Sequence, residues 1–142
     1  MTLITAEVIL IMYLVEFYTD NRGKNPVAKW LDELVKSDMD GAVKIDARIQ
    51  KLRKYGLKLL DTRIMKHLET KNMKHLIVAD RDLYELIPDP YRVIFYHDTK
   101  QSKFILLHGF RKKRQRQNKD IDQARRLLRK YLLRVGQKQK RK

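Results

Sequence analysis

The sequence has 142 residues, with 33 Lys and Arg against 17 Asp and Glu, and its formal net charge of +16 indicates a polyanionic partner. This length predicts a single domain, residues 1–136, whose core needs no metal or disulfide, and 43% hydrophobic residues exclude a wholly disordered chain. The absence of cysteine excludes disulfides, a thiol nucleophile and cysteine-ligated metals, and it fits the cytoplasm.

The most apolar run of the sequence, residues 8–15, lies near the N-terminus. Its eight residues are far fewer than the roughly 20 that cross a bilayer, so no membrane span is expected. A signal peptide is excluded because the run has neither a basic start nor a small-residue cleavage site. We therefore predict a buried strand. Met12 is a plausible initiator, in which case residues 1–11 are an upstream extension.

Two helices are predicted after this strand. Asn25 can cap a helix that begins at Pro26, because its side chain accepts a backbone N–H and proline suits the first helical position. The second helix is expected to stop near Gly56. Apolar residues at helical spacing mark the buried faces, which are Val27, Trp30, Leu31 and Leu34 in the first helix and Ala42, Ile45, Ile49 and Leu52 in the second.

Three strands are predicted next, at residues 83–87, 91–97 and 103–110. The connection at residues 88–90 contains two prolines, and the connection at residues 98–102 is polar. Both neighbouring pairs of strands are therefore expected to form antiparallel hairpins. Before them, residues 76–78 are interpreted either as an extra strand or as a contact with a protein partner.

The positive charge is concentrated at the C-terminal end. Residues 111–142 carry 15 basic and 2 acidic side chains, a net charge of +13. A final helix is predicted there, with arginines around one apolar stripe formed by Ile121, Ala124, Leu128 and Tyr131. Residues 137–142 are predicted to be a basic disordered tail. The order of elements predicts an α+β fold, a small antiparallel or mixed sheet packed by two N-terminal helices and one C-terminal helix.

Five segments, in their order and spacing, resemble the RelE/HigB toxin superfamily, in particular its phage-derived HigB-like group. They are NPVAKWL (25–31), MKHL (65–68), LYEL (83–86), YRVIFY (91–96) and above all LLHGFRKK (106–113). The resemblance implies a RelE-like fold and an mRNA endonuclease toxin of a type II toxin–antitoxin system, usually acting in the ribosomal A site. It also implies a tightly bound HigA-like helix-turn-helix antitoxin and a toxin–antitoxin heterotetramer.

A metal-independent ribonuclease must deprotonate a 2′-hydroxyl, stabilise charge at the phosphate and protonate the leaving 5′-oxygen. Arg92 lies in an otherwise apolar strand, where an unpaired charge costs several kcal/mol unless it meets a carboxylate or opens onto a groove. Two interpretations follow for Arg92. One is a structural ion pair with Glu85, and the other, which the resemblance favours, is a catalytic contact with the scissile phosphate. The resemblance also assigns Lys66 an acid/base or phosphate-holding role, and the alternative is a solvated surface lysine.

The remaining candidates lie in or after the last two strands. His108 is a candidate general acid or base, and the alternative is a hydrogen-bonded histidine at a strand end. We also considered that His97 approaches His108 across the final hairpin. Tyr96 is interpreted as an RNA-stacking residue or as a core tyrosine. The basic segment, residues 111–116 after the last strand, is interpreted as part of the site or as a solvated charge run. In the first interpretation Lys112 and Lys113 are catalytic residues, and the RNA-binding residues are Arg111, Arg114 and Arg116.

No pair of histidines has the spacing of a helical zinc motif, so neither a metal nor another cofactor is predicted. Gly109, just before the basic segment, permits close approach of another group to the backbone. The alternative to a nuclease is a non-catalytic RNA- or DNA-binding module. Such a module needs only cations, and its affinity would fall steeply with salt.

Overall fold

The computed structural model describes residues 12–60, 62–113 and 117–140, which contain five strands and three α-helices. The strands are β1 (Leu14–Phe17), β2 (Met65–His67), β3 (Leu83–Leu86), β4 (Tyr91–Asp98) and β5 (Lys103–Arg111), and the helices are α1 (Pro26–Ser37), α2 (Met39–Tyr55) and α3 (Asn118–Lys140). Within these described ranges, no helix combines the length and the apolar character that crossing a membrane requires. The predicted α+β class is confirmed.

The strands form one mixed sheet in the order β1-β5-β4-β3-β2. The two predicted hairpins, β3–β4 and β4–β5, are antiparallel, and β2 extends the sheet antiparallel to β3. At the other edge β1 runs parallel to β5. The strand β1 includes only the end of the predicted run 8–15, and residues 1–11 lie outside the described part of the chain. Residues 76–78 form no strand, because they lead into a 3₁₀ turn at Val78–Asp82.

The helix ends follow the capping signals of the sequence. Asn25 Oδ1 accepts the backbone N–H of Ala28 at 3.1 Å, and Pro26 is the first residue of α1, as predicted. Gly56 ends α2 with φ of +57°, a conformation that glycine adopts without strain. Helix α3 continues through Lys140 and so enters the stretch 137–142 for which a tail is predicted.

A separate hydrophobic core covers each face of the sheet. Val93 and Phe95 of β4 pack with α1 and α2 on what we call the α1–α2 face, whereas Ile94 and Tyr96 pack with α3 on the α3 face. This alternation is the two-residue period of a strand. The predicted apolar stripe of α3 is confirmed, since it contributes the buried residues Ala124, Leu128 and Tyr131 and the partly buried Ile121.

Gly109 of β5 lies directly against the indole ring of Trp30 in α1. A Cβ atom at this position would lie 2.3 Å from Trp30 Cε3 and Cζ3, so only glycine fits. The close approach predicted at Gly109 is confirmed, and the group that approaches is the core tryptophan. This contact seats α1 on the sheet.

Buried Asp80 ties α3 to the segment that precedes β3. The Nη2 atoms of Arg125 and Arg129 donate to Asp80 Oδ2 at 3.1 and 3.0 Å. Arg125 also donates to the carbonyl of Lys74 at 2.7 Å, and Arg129 to that of His75 at 3.2 Å. These two helix arginines therefore stabilise the fold, so the positive charge of α3 is not all available to a ligand.

We expect Asp80→Asn to lower the free energy of unfolding by about 3 kcal/mol, because it removes the counter-charge of Arg125 and Arg129. Burial by itself would raise the pKa of Asp80, but hydrogen bonds from the two arginines outweigh it and lower the pKa. A lowered pKa means that the unfolded chain binds more protons than the folded one. The contribution of Asp80 is therefore complete above about pH 4 and is lost as the pH falls through the folded-state pKa.

Urea unfolding of the wild type and Asp80→Asn at a series of pH values tests this expectation. The two proteins should differ most near neutral pH and approach each other in stability as the pH falls below about 4. A difference that stays constant with pH would contradict the assigned ionic role of Asp80.

Candidate functional site

Two predicted site residues, Lys66 and Arg92, both approach the buried carboxylate of Glu85. Glu85 of β3 is fully buried and lies on the α3 face. Lys66 pairs with Glu85 across β2 and β3, and Arg92 reaches the same carboxylate from β4. Lys66 Nζ and Arg92 Nε each lie 3.5 Å from Glu85 Oε1. The ion pair between Arg92 and Glu85 is therefore confirmed, and the structure places Lys66 beside it.

Arg92 lies below the protein surface. Its Nη1 donates to Asp89 Oδ1 at 2.7 Å and to the carbonyl of Tyr91 at 2.8 Å. The side chain of Arg92 is 8% exposed, whereas that of Lys66 is 50% exposed. An anion that approaches from solvent therefore reaches Lys66 more readily than Arg92.

Several polar atoms around Glu85 are buried without a hydrogen-bond partner among the described residues. They are Glu85 Oε1, Arg92 Nε and Gln117 Oε1. The amide of Gln117, just before α3, donates to Glu85 Oε2 at 3.5 Å. Buried polar atoms are nearly always paired, and exceptions concentrate where a protein binds a ligand or performs chemistry. Glu85 Oε1 and Arg92 Nε still face each other in the ion pair at 3.5 Å, so the incomplete hydrogen bonding of this cluster, Glu85, Arg92 and Gln117, makes it a candidate for function.

A groove of about 740 Å³ lies beside this cluster, between β2, the chain that follows it and the first turns of α3. Lys66 lines it from β2, and Lys112 lines it from the end of β5. Its charged lining residues are the cations Lys66, Lys74, Lys112 and Arg125 and the acids Glu69 and Asp122. The excess of cations suits a phosphate-bearing ligand.

Two other predicted cations, Arg111 and Lys113, do not line the groove. The guanidinium of Arg111 lies 5.8 Å from the ring centre of Tyr91, on the α1–α2 face of the sheet. Lys113 is exposed but does not line the groove. Arg114 and Arg116 lie outside the described residues. Among the described residues of the basic segment, Lys112 lines the groove, and the convergence of the whole segment stays a prediction.

His108 contacts α3 and does not line the groove. Its Nε2 lies 2.8 Å from Asp120 Oδ1, and its ring stacks on Phe110. These contacts agree with the interpretation of a hydrogen-bonded histidine at a strand end, and its acid/base role stays a prediction. The suggested approach of His97 to His108 is wrong, because His97 packs against Phe104 on the opposite face.

Tyr96 is a core residue. It is 7% exposed, and its ring makes an edge contact with Tyr131 at 6.1 Å between centroids. Burial raises the pKa of Tyr96 to about 12. The interpretation of Tyr96 as an RNA-stacking residue is therefore corrected, since no face of the ring is open to a base.

The sequence reasoning missed the central position of Glu85, which entered only as a partner of Arg92, and it missed Gln117 altogether. The signal for Glu85 was present, because it is an acidic residue in the otherwise apolar strand LYEL. Within the described ranges, no three His, Asp or Glu side chains converge as a metal site would require. The groove presents the ammonium groups of Lys66 and Lys112 beside the buried ion pair of Glu85 and Arg92.

Comparison with known protein families matches residues 29–129 to the family described as phage derived protein Gp49-like (DUF891). No curated protein matches the sequence. The match covers most of the chain and includes Lys66, Glu85, Arg92 and Lys112. This chain therefore belongs to the Gp49-like family of phage-derived proteins, which is part of the RelE/toxin–antitoxin-like group.

Proposed function

We propose that this protein is a HigB-like toxin of a type II toxin–antitoxin pair, and that it cleaves mRNA without a metal ion. Membership of the Gp49-like family supports the toxin assignment. The observation that supports the nuclease assignment is that Lys66 lines a cationic groove and shares the buried carboxylate of Glu85 with Arg92, which does not itself line the groove. Fixed cations at that place suit a reaction in which negative charge accumulates on a phosphate.

In the proposed reaction, a ribose 2′-oxygen attacks the adjacent phosphorus and loses its proton to solvent water. The bond from phosphorus to the 5′-oxygen breaks, and that oxygen gains a proton. The products therefore end in a 2′,3′-cyclic phosphate and a 5′-hydroxyl. Lys66 and Lys112 hold the phosphate oxygens, and Lys66 is also the group that can protonate the leaving oxygen.

Arg92 and Glu85 act on this reaction from below the groove. The carboxylate of Glu85 positions the ammonium group of Lys66, from which it is 3.5 Å away. Arg92 balances the buried charge of Glu85, so Lys66 is not fully neutralised by it. Direct contact of Arg92 with the scissile phosphate remains part of the proposal and requires the guanidinium to turn from its present partners.

The proposed partners follow from the same charge. The net charge of +16 favours rapid encounter with mRNA, which we propose is cut in the cytoplasm in the ribosomal A site. A HigA-like helix-turn-helix antitoxin would cover the groove with an acidic surface, and the two proteins would assemble as a heterotetramer. We expect the reading frame beside this one to encode that antitoxin.

Expression of the protein, with and without that neighbour, tests the proposal. We expect growth arrest that the neighbour relieves, and RNA fragments with 2′,3′-cyclic phosphate ends when purified protein is mixed with mRNA or translating ribosomes. A chelator of divalent ions should leave cleavage of free mRNA unchanged. Fragments with 5′-phosphates, or cleavage that a chelator abolishes, would contradict the proposed reaction.

The alternative function is a non-catalytic nucleic-acid-binding module. One observation favours it, which is that the guanidinium of Arg92 is occupied by Glu85, Asp89 and the carbonyl of Tyr91. A binding module would retain RNA without producing fragments. The same incubation therefore separates the two functions.

A further inference from the structure

A second cleft, of about 440 Å³, continues from the groove along α3. We call it the α3 cleft. It shares Lys74, His75, Asp122 and Arg125 with the groove, and its own lining residues are Arg126, Arg129, Lys130 and Leu133. The shared residues make the two cavities one continuous depression, which runs from β2 toward the C-terminal part of α3.

The α3 cleft contains cations that the fold does not use. Arg125 and Arg129 are bound to Asp80, as described above. Lys74, Arg126 and Lys130 are exposed, and no carboxylate among the described residues lies within ion-pair distance of them. Arg126 and Lys130 are four residues apart and therefore lie on the same side of the helix.

The length and lining of the two cavities restrict the ligand. Asn118 lines the groove and Lys130 lines the α3 cleft, and they are separated by about 18 Å along the helix axis at 1.5 Å per residue. A single phosphate or nucleotide cannot span that length. Except for Leu133, the described lining residues of the cleft end in charged or polar groups, and its exposed cations repeat along the helix, which favours a chain of repeated negative charges.

We propose that the α3 cleft is a second RNA subsite, which holds the backbone phosphates of a single strand on one side of the scissile bond. This inference rests on the proposed nuclease function, because it extends the path of the same substrate. Arg126 and Lys130 contact phosphates and no bases, so the subsite adds affinity without sequence preference. The preferred substrate is then an extended single strand.

The test compares two double variants that each remove two exposed helical cations. Arg126→Ala/Lys130→Ala alters the α3 cleft, and Lys29→Ala/Lys51→Ala alters α1 and α2 on the other side of the sheet. The measurement is the affinity for a fluorescent single-stranded RNA as a function of salt concentration. Each phosphate contact on a single strand contributes about 0.7 to the slope of log affinity against log salt, so the cleft variant should lose about 1.4.

The control pair should keep the wild-type slope. Equal slopes for the two double variants would overturn the proposal, because the effect would then be one of total charge alone. Equal slopes together with weaker binding of the antitoxin would overturn it in favour of a protein partner in the cleft.

The length of the RNA separates this inference from the proposed function. A dinucleotide-sized substrate fills only the groove, so its cleavage should be the same in the wild type and the cleft variant. Cleavage of an extended strand at low RNA concentration should fall in the cleft variant. If the wild type cleaves neither RNA but the slopes still differ, the nuclease fails and the subsite stands. If the wild type cleaves both and the slopes are equal, only the subsite fails.

Discussion

Lys66→Ala is expected to slow RNA cleavage by about 100-fold or more and to abolish growth arrest. Of the two cations that approach Glu85, Lys66 is half exposed and Arg92 is buried, so Lys66 is the one that a phosphate can reach without rearrangement. Its loss removes a positive charge from the place where the transition state gains negative charge. The measurement is single-turnover cleavage of a defined RNA, with growth after induction as the cellular readout.

The fold should tolerate this change. Glu85 keeps its ion pair with Arg92, so the buried carboxylate retains a counter-charge, and the loss of half-exposed Lys66 costs much less stability than the loss of Arg92. The melting temperature of Lys66→Ala should therefore stay close to that of the wild type. Lys51→Ala is the matched control, since it removes an exposed lysine from α2. Wild-type cleavage by Lys66→Ala would remove Lys66 from the proposed mechanism.

Most of the fold could be predicted because its long elements carry strong local signals. Asn25 and Pro26 mark the start of α1, and the strands β3 to β5 are runs of apolar and β-branched or aromatic residues between turns. The strand β2 escaped prediction because it has three residues, of which only Met65 is buried, so it shows no alternation. The parallel pairing of β1 with β5 depends on contacts between distant parts of the chain, for which the sequence carries no local signal.

One reason that the site was only partly predictable is an irregularity in the pairing of β4 with β5. The pairing of β4 with β5 shifts by one residue, so that Ile94 lies opposite His108 and Phe95 lies opposite Leu106. A shift of one residue moves every later side chain to the other face. After the shift, Arg111 lies on the α1–α2 face and Lys112 lines the groove. If the side chains of β5 alternated without interruption, these two residues would lie on each other's side of the sheet.

The charges of α3 show a different limit. The sequence shows that the arginines of α3 lie outside its apolar stripe. It does not show that Arg125 and Arg129 are bound to Asp80, which lies 45 and 49 residues earlier in the chain. A run of basic residues indicates a polyanion-binding surface only when the residues that form ion pairs within the fold are left out. In the α3 cleft, the exposed helix cations that then remain are Arg126 and Lys130.

Arg92→Ala is expected to lower the free energy of unfolding by about 3–5 kcal/mol, because it leaves the carboxylate of Glu85 buried beside only a half-exposed lysine. A loss of RNA cleavage in Arg92→Ala would therefore not by itself show a catalytic role for Arg92. Urea denaturation measures the effect, and unchanged stability would contradict the ion pair found here.

The double variant Glu85→Gln/Arg92→Gln separates structure from chemistry. It removes both charges and keeps side chains that can hydrogen-bond in the same place, so it should be more stable than Arg92→Ala. Its loss of free energy of unfolding should be smaller than the summed losses of the single variants Glu85→Gln and Arg92→Gln. Recovery of stability without recovery of RNA cleavage would show that the charge of Arg92 or Glu85 serves the reaction. Recovery of both would make the pair purely structural and would leave Lys66 and Lys112 as the cations that act on the phosphate.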